Sequence, residues 1–181
     1  MKSPFIIGEK LYLRGWERED LKGDMFNWTN DSQVTHYMSR GLKPNVLEVM
    51  QKEYEQLINS NTDVIFVIVD KKTDKPIGIA GLHAMNPLVH SAEYRIMIGE
   101  KDYWSKGYGT EANSLIVAYG FDKLNLHKVY LGVNADNVGA VKSYEKTGFK
   151  REGVLRDEIY RNGRYYDAVV MSILREEFYG K

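Results

Sequence analysis

The sequence predicts a mixed α/β fold, of the α+β kind, with a mostly antiparallel sheet of about seven strands. Three observations carry that reading. Two pairs of extended runs are joined by short turns, at Lys71-Lys72-Thr73-Asp74 and at Asn162-Gly163, and such hairpins make antiparallel neighbours. Helical patterns intervene between other strands and supply crossovers. The resulting order, β-α-α-β-β-β-α-β-α-β-β, contains no repeat, low-complexity tract or linker, so residues 1–181 read as a single domain.

Phe5 to Arg14 alternates apolar and polar residues around Ile7, Leu11 and Leu13 and suits one strand or two short ones. Trp16 to Asn30 is helical in pattern through Leu21, Met25, Phe26 and Trp28, and Asn30-Asp31-Ser32 breaks it. A second helix is predicted with Pro44 just inside its start and Val46, Leu47, Met50, Tyr54, Leu57 and Ile58 as its apolar members. Between these helices, residues 31–43 read as a loop able to line a pocket. Val64 to Val69 and Pro76 to Met85 form a hairpin, and Glu93 to Ile98 adds a third strand. Ala112, Leu115, Ile116 and Tyr119 set an amphipathic helix over 110–123, followed by a strand over 129–133. A short helix from Asn137 to Thr147 is stopped by Gly148, and two long runs meeting at Asn162-Gly163 close the chain.

Composition removes whole classes of chemistry. Lys plus Arg and Asp plus Glu both number 25, so no global field draws the chain to nucleic acid or an anionic membrane. The absence of cysteine excludes disulfides, thiolate zinc sites and a cysteine nucleophile. His36, His83, His90 and His127 lack the i, i+4 pairing of a helical metal site, so no metal is expected. No apolar segment approaches the roughly 20 residues that span a bilayer, and a cytoplasmic location is expected.

The stretch Trp104-Ser105-Lys106-Gly107-Tyr108-Gly109-Thr110-Glu111-Ala112 concentrates the functional signal. Glycine costs about 1 kcal/mol in a helix interior, so two glycines in three positions at a helix start indicate close backbone approach to a ligand. Backbone N–H groups at a helix N-terminus suit a pyrophosphate, and Lys106 adds a charge-assisted contact. The letters also fit the dinucleotide fingerprint G-x-G-x-x-A, but the polar stretch 99–106 separates strand from glycines, and the hairpin-rich start is not a βαβ unit.

Ala92-Glu93, the alternating apolar residues after it and the x-x-G-x-G turn resemble the acetyl-CoA signature of the GNAT superfamily of N-acetyltransferases. Asn134-Ala135-Asp136-Asn137 followed by Ala140 to Phe149 resembles that family's other motif, and the order of elements is similar over nearly the whole chain. Tyr103-Trp104, the glycine turn and Tyr144-Glu145-Lys146-Thr147-Gly148-Phe149 look most like the ribosomal-protein and spermidine acetyltransferase branches. Trp104 departs from the Gln or Arg that many members carry there, which leaves a backbone site for the phosphates. The resemblance implies helices on both faces of the sheet and a central splay between two strands. It also implies acetyl-CoA as co-substrate, bound by Ile96, Met97, Ile98, Trp104, Ser105, Lys106, Gly107, Tyr108, Gly109, Thr110, Asn134, Asn137 and Lys146. In that arrangement a backbone N–H near Met97 or Ile98 faces the thioester carbonyl.

Tyr144 is the candidate general acid for the departing thiolate: it lies seven residues after Asn137 on one helix face and, with an ordinary pKa of about 10, is protonated at neutral pH. Its spacing equally fits a core aromatic. Glu93 is the candidate general base; the other reading is a carboxylate paired with Arg95 on the same strand face. His83, with Asp31, His36 and Glu100, is a weaker candidate for that role. The acceptor pocket is expected at Trp28, Asp31, Tyr37, His83 and Met85 and on the last hairpin. Clustered acids there are few, namely Asp31, Asp157, Glu158 and Asp167, so the sequence favours a protein N-terminus or an amino sugar over a polyamine, and the α-amine of a protein N-terminus is the first expectation, with an amino sugar or a polyamine as the alternative. A CoA-binding module without transfer activity is the non-enzymatic alternative. The aromatic-rich last hairpin is compatible with a homodimer.

Overall fold

The computed structural model describes residues 1–180. The first extended run folds as two strands, β1 (Ile6–Ile7) and β2 (Leu11–Gly15), because the chain turns at Gly8. A Cβ on Gly8 would lie 2.2 Å from the Glu111 carboxylate, so a side chain there would displace Glu111 from its bond with the Lys10 N–H. This break makes the sheet eight-stranded rather than seven-stranded.

The first helical pattern also divides, into a 3-10 turn at Arg18–Lys22 and helix α1 (Asp24–Asn30). Asp20 causes the division. It takes a buried bidentate ion pair from Arg14, at 2.6 and 2.8 Å, and the backbone N–H of Glu17 at 2.9 Å, which fixes the turn before Gly23. Helix α2 (Leu47–Ile58) begins three residues beyond Pro44, with Val46 as its cap residue. The hairpin of β3 (Val64–Asp70) and β4 (Pro76–Asn86) and the third strand, β5 (Ser91–Ile98), follow as the sequence predicts. A 3-10 turn (Lys101–Tyr103) leads into α3 (Tyr108–Lys123), then β6 (Lys128–Asn134), α4 (Val138–Thr147), β7 (Lys150–Arg161) and β8 (Arg164–Leu174). A final short helix, α5 (Arg175–Tyr179), has no forerunner in the sequence reading.

The strands lie in the order β1-β2-β3-β4-β5-β6-β8-β7. All pairs are antiparallel except β5 with β6, which are parallel and paired only at Ser91 with Lys128, Ala92 with Val129 and Glu93 with Tyr130. Helices cover both faces. On one, α3 and α4 bury Leu82, Ala92, Tyr94, Ile116, Phe121, Leu131 and Met171 in the larger core. On the other, the 3-10 turn, α1 and α2 bury Tyr12, Trp28, Met50, Val67 and Met97 in the second. The β7–β8 hairpin is the far edge and leaves Val154, Leu155, Tyr160 and Tyr165 exposed. Among the described residues no helix is long and apolar enough to cross a membrane.

Candidate active site

Beyond Glu93 the two central strands part. β5 continues to Ile98 and β6 to Asn134 without pairing to each other, so a wedge opens through the sheet. The alternation of strand backbone decides what faces it. The Met97 carbonyl points at Gly78 of β4, and the Gly99 N–H donates to Ile77 at 2.9 Å, so these residues turn their polar backbone toward β4. Ile96 and Ile98 therefore face the wedge. The expectation that either Met97 or Ile98 serves the thioester is thereby corrected: Met97 is committed to the hairpin, and Ile96 joins Ile98 at the open edge. The Ile98 carbonyl takes a 2.8 Å hydrogen bond from the indole N–H of Trp104, which leaves the N–H groups as the free functions.

The glycine turn lies at the same end of the wedge. Ser105 and Gly107 both adopt left-handed conformations, with φ of 58° and 89°, and α3 starts at Tyr108, two residues earlier than periodicity predicts. Gly107 is the position where a side chain would be strained. Gly109 has ordinary backbone, and a Cβ there would meet Ser143 Oγ at 3.7 Å, an unforced contact. No side chain caps α3 among the described residues, so the N–H groups of its first turn are open, with the positive end of the helix dipole behind them. Lys106 and Lys146 are exposed beside this turn. Lys10, which the sequence reading missed, reaches across from the β1–β2 turn and donates to the Lys106 carbonyl at 3.0 Å. Gly107, Thr110, Lys10 and Lys146 share one depression of about 480 Å³. Nothing local marks Lys10, which stands 96 residues from Lys106 in the chain.

Tyr108 points away from the depression and donates to Asp70 at 2.7 Å. This bond and its burial raise the phenol to about 12. Burial pushes Asp70 up, but the bonds from Thr73 and Tyr108 outweigh it and hold the carboxyl below its usual range. Tyr108 thus anchors the loop through its side chain and offers a ligand only backbone.

On α4, Asn137 accepts from the Ala140 N–H at 3.2 Å and caps the helix, which leaves its amide N–H groups to donate. Tyr144, two turns further along, is buried and packs edge-on to Tyr94 at 6.3 Å and against Phe149 at 5.7 Å. Burial raises its phenol well above the ordinary value, so it keeps its proton across the physiological range. The helix is held to α3 by a polar chain in which Tyr94 donates to Asn113 at 2.9 Å and Asn113 donates to Ser143 at 3.1 Å. Asn134 ends β6 with its Oδ1 on the Asp136 N–H, while its amide Nδ2 is buried with no partner among the described residues. An orphaned donor at the wedge, free strand N–H groups and an uncapped helix start form a row suited to an extended ligand carrying amide carbonyls and a pyrophosphate.

The other face of the wedge is built from charged side chains. Glu93 accepts from Arg95 at 3.0 and 2.7 Å, so both carboxylate oxygens are engaged, the pairing that the sequence left open against a role as base. Across the ladder from Glu93 is His83, whose Nδ1 lies 2.9 Å from Asp63 Oδ1. The remaining residues proposed for the acceptor pocket are dispersed. Asp31 is tied to Lys101 at 2.7 Å and to the Gln33 N–H at 2.8 Å. Trp28 is buried in the second core with its ring over Gly99 and its indole on Glu100 at 2.8 Å, so it supports the end of β5 rather than presenting a free surface. Tyr37 is half-buried, against His36 at 4.6 Å. Met85 packs on the larger core, away from His83, because a bulge follows His83 with Ala84 in the left-handed conformation. Loop 31–43 meets the last hairpin where buried Arg161 donates to the Thr35 carbonyl at 2.8 Å. Among the described residues no group of three or more His, Asp or Glu is arranged to hold a metal ion.

A sheet opened at one parallel pair, with an uncapped glycine turn at the mouth of the wedge and a proton-bearing tyrosine beneath it, defines an acyltransferase that takes its acyl group from a CoA thioester. The Acetyltransferase (GNAT) domain profile matches residues 10–150, and the chain belongs to that family. It is 33% identical over 172 residues to the spermidine N(1)-acetyltransferase of Vibrio cholerae, covering 95% of this chain and 97% of that protein. To the spermidine N(1)-acetyltransferase of Escherichia coli it is 32% identical, covering 92% of this chain and 87% of the relative. The crystal structure of the Vibrio cholerae spermidine N-acetyltransferase in complex with CoA and spermine superposes with a TM-score of 0.85, covering 94% of this chain and 98% of that one.

Proposed function

We propose that this N-acetyltransferase, a single domain over residues 1–181, transfers the acetyl group of acetyl-CoA to a primary amine of a polyamine of the spermidine class. The observation that carries the acceptor is the near-complete alignment with two spermidine N(1)-acetyltransferases. The α-amine of a protein N-terminus, which the sequence favours, gives way to the polyamine. In the fold, Asp63 and Glu93, carboxylates from separate elements, stand on either side of His83 and outnumber the one guanidinium, Arg95, set among them. That surplus of negative charge supports a cationic acceptor.

On this reading the first turn of α3, with Lys106, Lys10 and Lys146, takes the phosphates, and Ile96, Ile98, Asn134 and Asn137 take the amide arm. The free N–H groups at the β5 edge stabilise charge that develops on the thioester oxygen. Tyr144 supplies the proton to the departing sulfur. The amine adds to the carbonyl carbon and places charge on oxygen, the C–S bond then breaks as the carbonyl re-forms, and the products are the N-acetyl amine and free CoA. Initial rates on spermidine, spermine, an amino-sugar nucleotide and a tripeptide with a free N-terminus test the acceptor. Spermidine is expected to give a kcat/KM at least about tenfold above the peptide. A peptide or amino-sugar preference overturns the polyamine.

A further inference from the structure

The proposed reaction requires a group that frees the amine of its proton, and the side chain that the sequence nominates first, Glu93, has both oxygens on Arg95. The face of the wedge opposite Tyr144 holds a better-formed pair. Asp63, ahead of β3, accepts from Ser60 Oγ at 2.6 Å, from Thr62 Oγ1 at 3.0 Å and from the Ala84 N–H at 3.3 Å. Burial pushes its carboxyl up, and these bonds outweigh burial and hold it below the usual range, so it is an anion. An anion beside His83 Nδ1 at 2.9 Å requires that nitrogen to carry the hydrogen. Nε2 is then left with the lone pair, and it has no protein hydrogen bond among the described residues.

The backbone is shaped to hold this arrangement. Ala84 adopts φ of 49°, a conformation that side chains seldom take, and the ladder between β4 and β5 slips between His83 and Asn86. The Ala84 N–H bound to Asp63 and the Met85 N–H bound to the Thr62 carbonyl at 2.9 Å fix that bulge. His83 is thereby pinned directly across from Glu93, the last residue of β5 to pair with β6 before the wedge opens. Tyr94, the next residue along, turns to the opposite face and packs on Tyr144. A thioester lying in the wedge has a proton donor on one face of the sheet and the Asp63–His83 pair on the other.

We infer that His83, oriented by Asp63, is the general base that takes the proton of the acceptor amine, directly or through one water. This rests on the acetyl-transfer reading above. An acceptor ammonium gives up two protons in all. One passes to His83 Nε2 and on to solvent, which frees the lone pair for attack on the carbonyl carbon. The other, lost from nitrogen to solvent after the C–N bond forms, is matched by a solvent proton that reprotonates Tyr144 once it has delivered its own to sulfur. The groups facing His83 are Asp63 from the loop before β3 and Glu93 and Arg95 from β5. Burial pushes the imidazole down and the Arg95 charge adds to this, while Asp63 and Glu93 pull it up. The net direction is downward, so the ring is a neutral base at physiological pH. Asp63 is a positioning residue.

The experiment is the pH dependence of kcat/KM for spermidine at saturating acetyl-CoA, in the unaltered protein and in the His83→Gln and Asp63→Asn variants, with CoA-induced thermal stabilisation measured on each. The unaltered protein is expected to show an acidic limb set by His83. His83→Gln should lose that limb and about 10²-fold in kcat/KM, with its CoA-induced stabilisation intact. Asp63→Asn, which removes a carboxylate that raises the imidazole, should move the limb to lower pH and lower the plateau. Added imidazole should restore part of the rate to His83→Ala. An unchanged limb and rate in His83→Gln overturns the base and leaves the acetyltransferase reading standing. A protein that binds CoA and acetylates no amine overturns both.

Discussion

The two sides of the wedge are made differently. The side proposed to receive the acyl donor is mostly backbone: the first turn of α3, the edge of β5 and two asparagines at the end of β6 and the start of α4. The acceptor side is mostly side chains, drawn from the loop before β3, the bulge of β4, β5 and loop 31–43, and most of its charges already have partners. Backbone sites depend on local conformation and so leave compact marks in a sequence. Side-chain sites depend on which distant segments the fold brings together, and a relative can change acceptor by altering one segment while the donor side stays intact.

The largest expected effect falls on the donor side. Tyr144→Phe keeps the ring and its packing on Tyr94 and Phe149 and removes only the hydroxyl, so kcat should fall by about 10²-fold with little change in CoA affinity. Full turnover in this variant would return Tyr144 to the core. Next is a break in the core that supports the end of β5. A Cβ at Gly99 would come within 1.9 Å of the Trp28 ring, so Gly99→Ala should cost about 1–3 kcal/mol of stability by denaturant unfolding. CoA affinity of the folded fraction should be preserved. If CoA binding were lost as well, the two sides would be less separate than the geometry indicates.

A smaller effect belongs to Gly107→Val, which forces a β-branched residue into a left-handed conformation at a strain of about 1–2 kcal/mol. Calorimetry with CoA should show affinity reduced about tenfold, whereas Gly109→Ala, at an unstrained position, should stay within about threefold. The smallest is Lys10→Ala. Its exposed ammonium should contribute about twofold to CoA affinity, and the difference should vanish at high salt.

Much of the fold was legible because its signals are local. Asn162-Gly163 marks the last hairpin and Gly148 caps α4 in the left-handed conformation, with φ of 105°. The glycine turn announces the start of α3. What escaped is set by contacts between distant segments. Gly8 breaks the first strand because Glu111 stands behind it, 103 positions along the chain, and Asp20 breaks the first helix because Arg14 binds it. The same holds at the site. The parting of β5 from β6 decides that Ile96 faces the wedge and Met97 does not, and spacing alone cannot supply that parity. Their place in the chain suggests Trp28 and Met85 for the acceptor pocket, but a core around Gly99 takes one and a bulge at Ala84 turns the other away. The Asp63–His83 pair was invisible for the same reason as Lys10: its two members lie 20 residues apart on different elements.

The brevity of the β5–β6 pairing has a mechanical meaning. Five strands stand on one side of that seam and three on the other, stitched by three residue pairs at one end and bridged beneath by α3 and its polar link to α4. An extended ligand that hydrogen-bonds along the β5 edge acts as a ninth strand and closes the seam along its open length. The donor is then a temporary structural member of the enzyme. On the proposed reading, release of CoA leaves the β5 edge unpaired again, with β5 and β6 joined only as far as Glu93.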